Sequence, residues 1–151
     1  MHATLEKFGY PESALAETEH WVVLLHPAQV TPGALVLAHK PADVTSLGAL
    51  SAAAARELPL ICAQIEQVLR NLLGAEKFNY LCLMMVDPHV HFHVLPRYGS
   101  PVEIAGRRLE DSFWPGPPDI KIRLELEPEE RETLRVALRE AFRDRGYAIV
   151  G

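Results

Sequence analysis

The stretch Pro88–Tyr98, PHVHFHVLPRY, puts three of the chain's seven histidines within five residues. In an extended strand, side chains alternate between faces. His89, His91 and His93 then share one face, and Val90, Phe92 and Val94 share the other. The apolar three can enter a core, which leaves a row of imidazoles on the opposite surface. Packing has no use for such a row, because Val, Thr or Tyr suits a strand better. The structural alternative is a half-exposed strand with its polar side outward.

Two chemistries compete for the row. Imidazole is a common ligand for zinc, copper or iron, and residues two apart on a strand can reach one ion. At roughly 3.3 Å per residue, however, His89 and His93 lie about 13 Å apart along the strand, whereas a metal–imidazole bond is about 2 Å. A metal-binding protein would need further ligands from His20, His26, His39 or a carboxylate. The second use is phosphoryl or nucleotidyl chemistry. A neutral imidazole attacks phosphorus, and the phosphoramidate formed is readily displaced again. A phosphate flanked by several rings matches the spacing better than one ion does, and preorganised donors can serve it without a metal.

The rest of the chain bounds the problem. Its 151 residues, 48% hydrophobic, suffice for a core. A net charge of -5 without a basic stripe argues against nucleic acid as a partner, though a single nucleotide needs only a few local donors. No secretory leader is visible in MHATLEKFGYPES, and the longest apolar run, Leu81–Val86, is too short to cross a membrane. Cys62 and Cys82 sit in apolar segments without CxxC spacing. They read as reduced core residues of a cytoplasmic protein.

Around the histidines the pattern is α+β. His20–Leu25 and Gly33–Ala38 read as antiparallel strands joined through the VTPG turn, Val30–Gly33. From about Ser46 to Leu73 the period is helical, with Leu58, Ile61, Ile65, Val68, Leu69 and Leu72 on one stripe. Ser46 or Ser51 can cap this helix and Gly74 can end it, while Pro59 should kink or split it near Glu57. Phe78–Val86 and His89–Leu95 read as two more strands, with Asp87 and Pro88 in a tight turn. Beyond Arg97 the chain reads as loop through FWPGPPD, Phe113–Asp119, with Phe113 and Trp114 exposed. Ile120, Ile122 and Leu124 alternate as in a half-buried strand. The last helix starts at Pro128, buries Leu134, Leu138, Ala141 and Phe142, and stops at Gly146. Residues 1–118 are expected to form the catalytic domain, and 119–151 a strand–helix extension packed on it.

The run His89–Leu95, HVHFHVL, resembles the histidine triad motif, His-φ-His-φ-His-φ-φ with φ hydrophobic, and Pro96 and Arg97 extend the likeness. Leu24–Leu47 is similar to the family's first hairpin and its exit toward a long helix. Trp114–Pro117, WPGP, is similar to the tail of some bacterial members. The resemblance implies a fold with a five-stranded antiparallel sheet and a homodimer. It also implies hydrolysis or transfer of nucleoside monophosphate groups from dinucleoside polyphosphates, phosphoramidates or related compounds. His91 would be the nucleophile, its Nδ1–H donated to a main-chain carbonyl. His93 would contact the scissile phosphate or leaving oxygen, and His89 would support the row. His26 falls where relatives place an Asp or Asn that binds the ribose hydroxyls. Arg97 is a candidate phosphate contact and Trp114 a candidate cover for the base. No cofactor is expected.

The chain departs from the family pattern twice. Pro32-Gly33-Ala34 replaces a Pro-Gly-His motif, and Met84–Pro88 replaces a Gly-Gln-Ser/Thr stretch that donates to phosphate. Asp87 reads as a turn cap. His39 reads as an exposed strand-end residue or a stand-in for the missing histidine. His2 is expected in a frayed terminus. The leading reading is a nucleotide hydrolase or transferase. The alternatives are a catalytically weak nucleotide-binding or regulatory module, and a histidine-based metal site. The alanines at 49 and 52 to 55 widen the helix's apolar surface and suit contact with a second subunit.

Overall fold

Residues 2–147 are described by a computed structural model. Two buried runs, β2 (Trp21–Leu25) and β3 (Leu35–His39), pair antiparallel with Leu25 opposite Leu35. They lie at the middle of a five-stranded antiparallel sheet. The flanking strands are β1 (Ala14–Glu17), β4 (Lys77–Leu81) and β5 (His91–Arg97), in the order β1-β2-β3-β5-β4. One face, bearing Trp21, Val23, Leu25, Leu37 and Val94, packs on Ile61, Ile65, Val68 and Leu69 of the helix α2 (Ala52–Leu73). The other face carries Val22, Leu24, Val36 and Ala38 and is covered by Leu5 and Phe8 of an N-terminal segment. That segment holds the short helix α1 (Ala3–Lys7). His91 lies opposite Ala38 and His93 opposite Val36, which sets both imidazoles on this second face.

α2 begins later than its periodicity indicates. Leu47–Ala49 form a separate 3₁₀ turn, and the Ser51 side chain caps α2 at Ala54 N. Pro59 lies inside α2 without dividing it. Pro59 and Ala55, whose carbonyl loses its donor, are both on the solvent side, where water can take the free acceptor. Gly74 ends α2 in the left-handed region, φ 79°. α3 (Pro128–Asp144) buries Leu134, Leu138 and Phe142 against β1 and α2.

Four expectations are corrected. β4 ends at Leu81 rather than Val86. The chain turns out of the sheet, with Met84 at φ 50°, leaving Met85 and Val86 88% and 82% exposed. An apolar run marks burial only where a neighbouring strand continues to pair with it. The histidine strand starts at His91, so His89 precedes it. Ile120–Leu124 is no strand: among the described residues one bridge, Gln29 to Leu124, is its only sheet-like pairing, and Ile120 and Ile122 stay 41% and 40% exposed. The segment after Arg97 contains a hairpin instead, β6 (Val102–Ile104) with β7 (Arg107–Leu109). No helix among the described residues is long and apolar enough to cross a membrane.

Candidate functional site

His91 and His93 line a pocket of about 330 Å³ on the α1 face of the sheet. Their ring centroids are 5.3 Å apart. The strand fixes the spacing, since residues two apart on one face are adjacent. His91 is 2% exposed, and its Nδ1 lies 2.7 Å from the carbonyl oxygen of His89. A carbonyl can only accept, so Nδ1 carries the proton and the ring's other nitrogen, Nε2, is left as a lone pair. The His89 ring does not line the pocket. Its Nδ1 meets Thr4 Oγ1 at 2.9 Å and its face stacks on His2 at 4.1 Å. His89 therefore contributes its carbonyl.

His26 does reach the pocket. It follows β2 in a loop tied by Gln29, whose amide donates to the carbonyls of His26 and Ala34 and accepts from Gly33 N. Gly33 sits at φ 82°, and a Cβ there would lie 2.7 Å from Leu73 Cδ1, so the tight return needs glycine. From α3, Arg131 donates to the carbonyls of His26 and Leu25 at 3.1 and 3.3 Å. The His26 ring meets the backbone N–H of Ala28 at Nδ1, 3.0 Å, and His93 Nδ1 at Nε2, 3.1 Å. Burial is the first cause that pushes the His26 pKa down, to about 3, with His93 next and Arg123 and Arg131 adding to it. Burial likewise lowers His93 to about 4, helped by His91 and Arg123.

The N-terminal segment supplies residues that the sequence reading missed. Phe8 lies against His26, His91 and His93, with centroids at 5.6, 5.7 and 6.0 Å. Lys7 Nζ pairs with Asp87 at 2.7 Å, and both line the pocket with Arg123. Asp87 therefore faces the site, neutralised by a cation, and does not cap the turn. His2 is buried rather than frayed: its ring caps α1 and donates to the His39 carbonyl. A five-residue helix is too short for hydrophobic periodicity. The one available signal was Thr4, Leu5 and Phe8 at one-turn spacing behind a capping His2.

Three candidates lie elsewhere. Arg97 is 4% exposed and donates bidentately to Asp111 (2.6 and 3.1 Å), to Asn79 and to the Gly116 carbonyl. Those partners occupy it at the end of β5 away from His91. Trp114 lies on Gly99, where a Cβ would come within 3.0 Å of its Nε1. That is six residues, roughly 20 Å of strand, beyond His93. His39 is neither exposed nor a stand-in, being 2% exposed against Trp21 on the α2 side of the sheet. The missing histidine, at Ala34, is a fully buried methyl. Cys62 and Cys82 are free thiols and half-buried. Among the described residues no group of three or more His, Cys, Asp or Glu is arranged to hold a metal ion.

No protein-family model matches the chain, and no curated protein matches it in sequence. Solved structures do match. A histidine triad protein from Marinobacter aquaeolei VT8 is 20% identical, over 95% of this chain and 96% of its own, at TM-score 0.70. A hypothetical histidine triad nucleotide-binding protein from Sulfolobus tokodaii strain7 is 19% identical, over 87% and 84%, at TM-score 0.66. A Zn-bound histidine triad family protein from Mycobacterium smegmatis is 17% identical, over 95% and 92%, at TM-score 0.61. The chain has the fold of the histidine triad proteins.

Proposed function

We propose that the chain is a histidine triad protein that hydrolyses or transfers nucleotidyl groups of nucleoside phosphate derivatives through a covalent nucleotidyl-His91. The observation that carries this reading is the 2.7 Å contact from His91 Nδ1 to the His89 carbonyl. It holds the proton on the inner nitrogen and leaves Nε2 nucleophilic in a ring that lines the pocket. In the first step a bond forms between Nε2 and phosphorus, and the leaving group departs with the electron pair of its bond. In the second, water or another acceptor attacks phosphorus, the P–N bond breaks and the neutral imidazole returns. Arg123 faces the negative charge of the phosphoryl oxygens and stands in for the absent Gln-Ser/Thr donors, while Lys7, paired with Asp87 at 2.7 Å, offsets the carboxylate that would repel them. Leu83 and the exposed Met85 and Val86 form an apolar lip suited to the base or an organic leaving group.

The zinc bound by the Mycobacterium smegmatis protein is the observation in favour of a metal-site reading. Here His26 Nε2 and His93 Nδ1 meet at 3.1 Å, so one proton between them engages both nitrogens. The free thiols of Cys62 and Cys82 fit a reducing, cytoplasmic setting.

The experiment is a panel of adenosine and guanosine phosphoramidates, dinucleoside polyphosphates and adenosine phosphosulfate, followed by alkaline quench and intact-mass analysis. Turnover of one class with a one-nucleotide mass gain on the peptide containing His91 is expected. Binding of the panel without turnover or adduct would favour the weak nucleotide-binding module and overturn the catalytic reading.

A further inference from the structure

The contacts of His26 fix the direction of every hydrogen bond in a short relay. The backbone N–H of Ala28 can only donate, so His26 Nδ1, at 3.0 Å, presents a lone pair. A neutral imidazole has one proton, which must then be on Nε2. That nitrogen lies 3.1 Å from His93 Nδ1, and one proton has to serve the two. His26 supplies it, His93 Nδ1 accepts it, and the proton of the His93 ring is left on Nε2.

We infer that His26 is a positioning residue that locks His93 as the Nε2–H tautomer, so the pocket receives a bare nitrogen from His91 and an N–H donor from His93. The two rings are complementary. A nucleophile needs the lone pair and a phosphoryl oxygen gathering charge needs the donor. The His89 carbonyl sets the His91 tautomer directly, and the Ala28 N–H sets the opposite one on His93 through the His26 ring. Protonating His26 would set a second N–H against that of Ala28. Burial keeps its pKa near 3 and that of His93 near 4, so both rings are neutral at ordinary pH. Gln29 and Arg131 hold the His26 carbonyl, and Phe8 packs edge-on to both rings. Engaged in this way, His26 Nε2 is not available to a ribose hydroxyl, the role that resemblance assigned to it. The use of the donor rests on the nucleotidyl-transfer reading above; the tautomer itself does not.

¹⁵N NMR of the resting protein tests the relay directly. The expected spectrum has His93 Nδ1 as a lone-pair nitrogen, His93 Nε2 protonated, and a coupling across the hydrogen bond from protonated His26 Nε2 to His93 Nδ1. His26→Gln keeps an amide donor near the position of Nε2 and is expected to retain this pattern, with kcat within about threefold. His26→Glu puts an acceptor there. His93 should then carry a proton on Nδ1 and titrate at least one pH unit higher, and kcat should fall on the order of tenfold at nearly constant KM. A purely structural role for His26 would cost stability in the variants and leave the His93 tautomer and titration unmoved. A wild-type spectrum with the proton on His93 Nδ1, or a His93 tautomer and titration unmoved in His26→Glu, would overturn the relay. If His26→Glu does not fold, the wild-type spectrum alone decides. Failure of the substrate panel with the expected spectrum intact would sink the catalytic reading and leave the relay standing.

Discussion

The Nδ1 of His91 lies 2.7 Å from the carbonyl oxygen of His89, so one residue contributes a ring and its neighbour two positions back contributes backbone. Any residue at 89 retains a backbone carbonyl. His91→Asn is expected to lower kcat by at least about 10³-fold, with nucleotide affinity nearly unchanged. His89→Asn should cost about tenfold or less, because it forfeits only the contacts with Thr4 and His2. Steady-state kinetics with calorimetric binding separates the two, and substantial activity in His91→Asn would remove the nucleophile from the mechanism.

Acid should destabilise the protein in a definite window. His26 and His93 fall from an ordinary 6.5 to about 3 and about 4 on folding, so the unfolded chain binds more protons between those values and 6.5. The stability they confer is complete above pH 6.5 and is lost as the pH falls toward 3. The slope is up to about 1.4 kcal/mol per pH unit for each ring. Urea melts at pH 7, 6, 5 and 4 measure it. His26→Gln should flatten the curve below pH 6, and an unchanged slope would show that His26 does not titrate as its burial demands.

The sequence made the centre of the site legible and its walls illegible. Alternation around HVHFHV put the histidines opposite Val90, Phe92 and Val94, and Val90 and Val94 are core residues on the α2 side. His26 was identifiable as a strand-end histidine and, through the resemblance, as a ribose-binding candidate, but not as a partner of His93. Its partnership with His93 spans 67 positions and depends on where β2 and β5 fall across the sheet. Phe8 and Lys7 gave less still, since one turn of helix carries no period. The opposite error arose at Arg97. A basic residue just after the motif looks available for phosphate, yet an acidic partner fourteen positions on claims it inside the fold.

Turnover is expected to survive exhaustive chelation. The lone pair of His91 Nε2 has no second imidazole lone pair to share an ion with, because His26 Nε2 and His93 Nδ1 are committed to each other. Assay after dialysis against a chelator, with elemental analysis of untagged protein, checks this. Loss of activity that a stoichiometric transition metal restores would favour the metal-site reading.

A homodimer is expected through the apolar surface that α2 leaves open. Leu60 and Leu72 are 62% and 41% exposed there, and Leu47 just before it is 47% exposed. Light scattering at micromolar concentration should report near twice the 16.8 kDa chain mass. Leu60→Glu should shift the value toward one chain if that surface forms the contact.

Arg97 should prove structural rather than substrate-binding. Its guanidinium and the Asp111 carboxylate have 5% and 2% of their side-chain surface exposed, and Asp111 also accepts from Tyr98 N. Replacing the arginine leaves a buried carboxylate without its counter-charge, which costs about 3–5 kcal/mol. Arg97→Met is therefore expected to melt well below wild type, while its KM, measured under conditions where it remains folded, stays the same. Adding Asp111→Leu removes the stranded charge and should recover part of the loss, a coupling that a double-mutant cycle reads directly. A Arg97→Met protein with wild-type stability and a raised KM would return Arg97 to the substrate site.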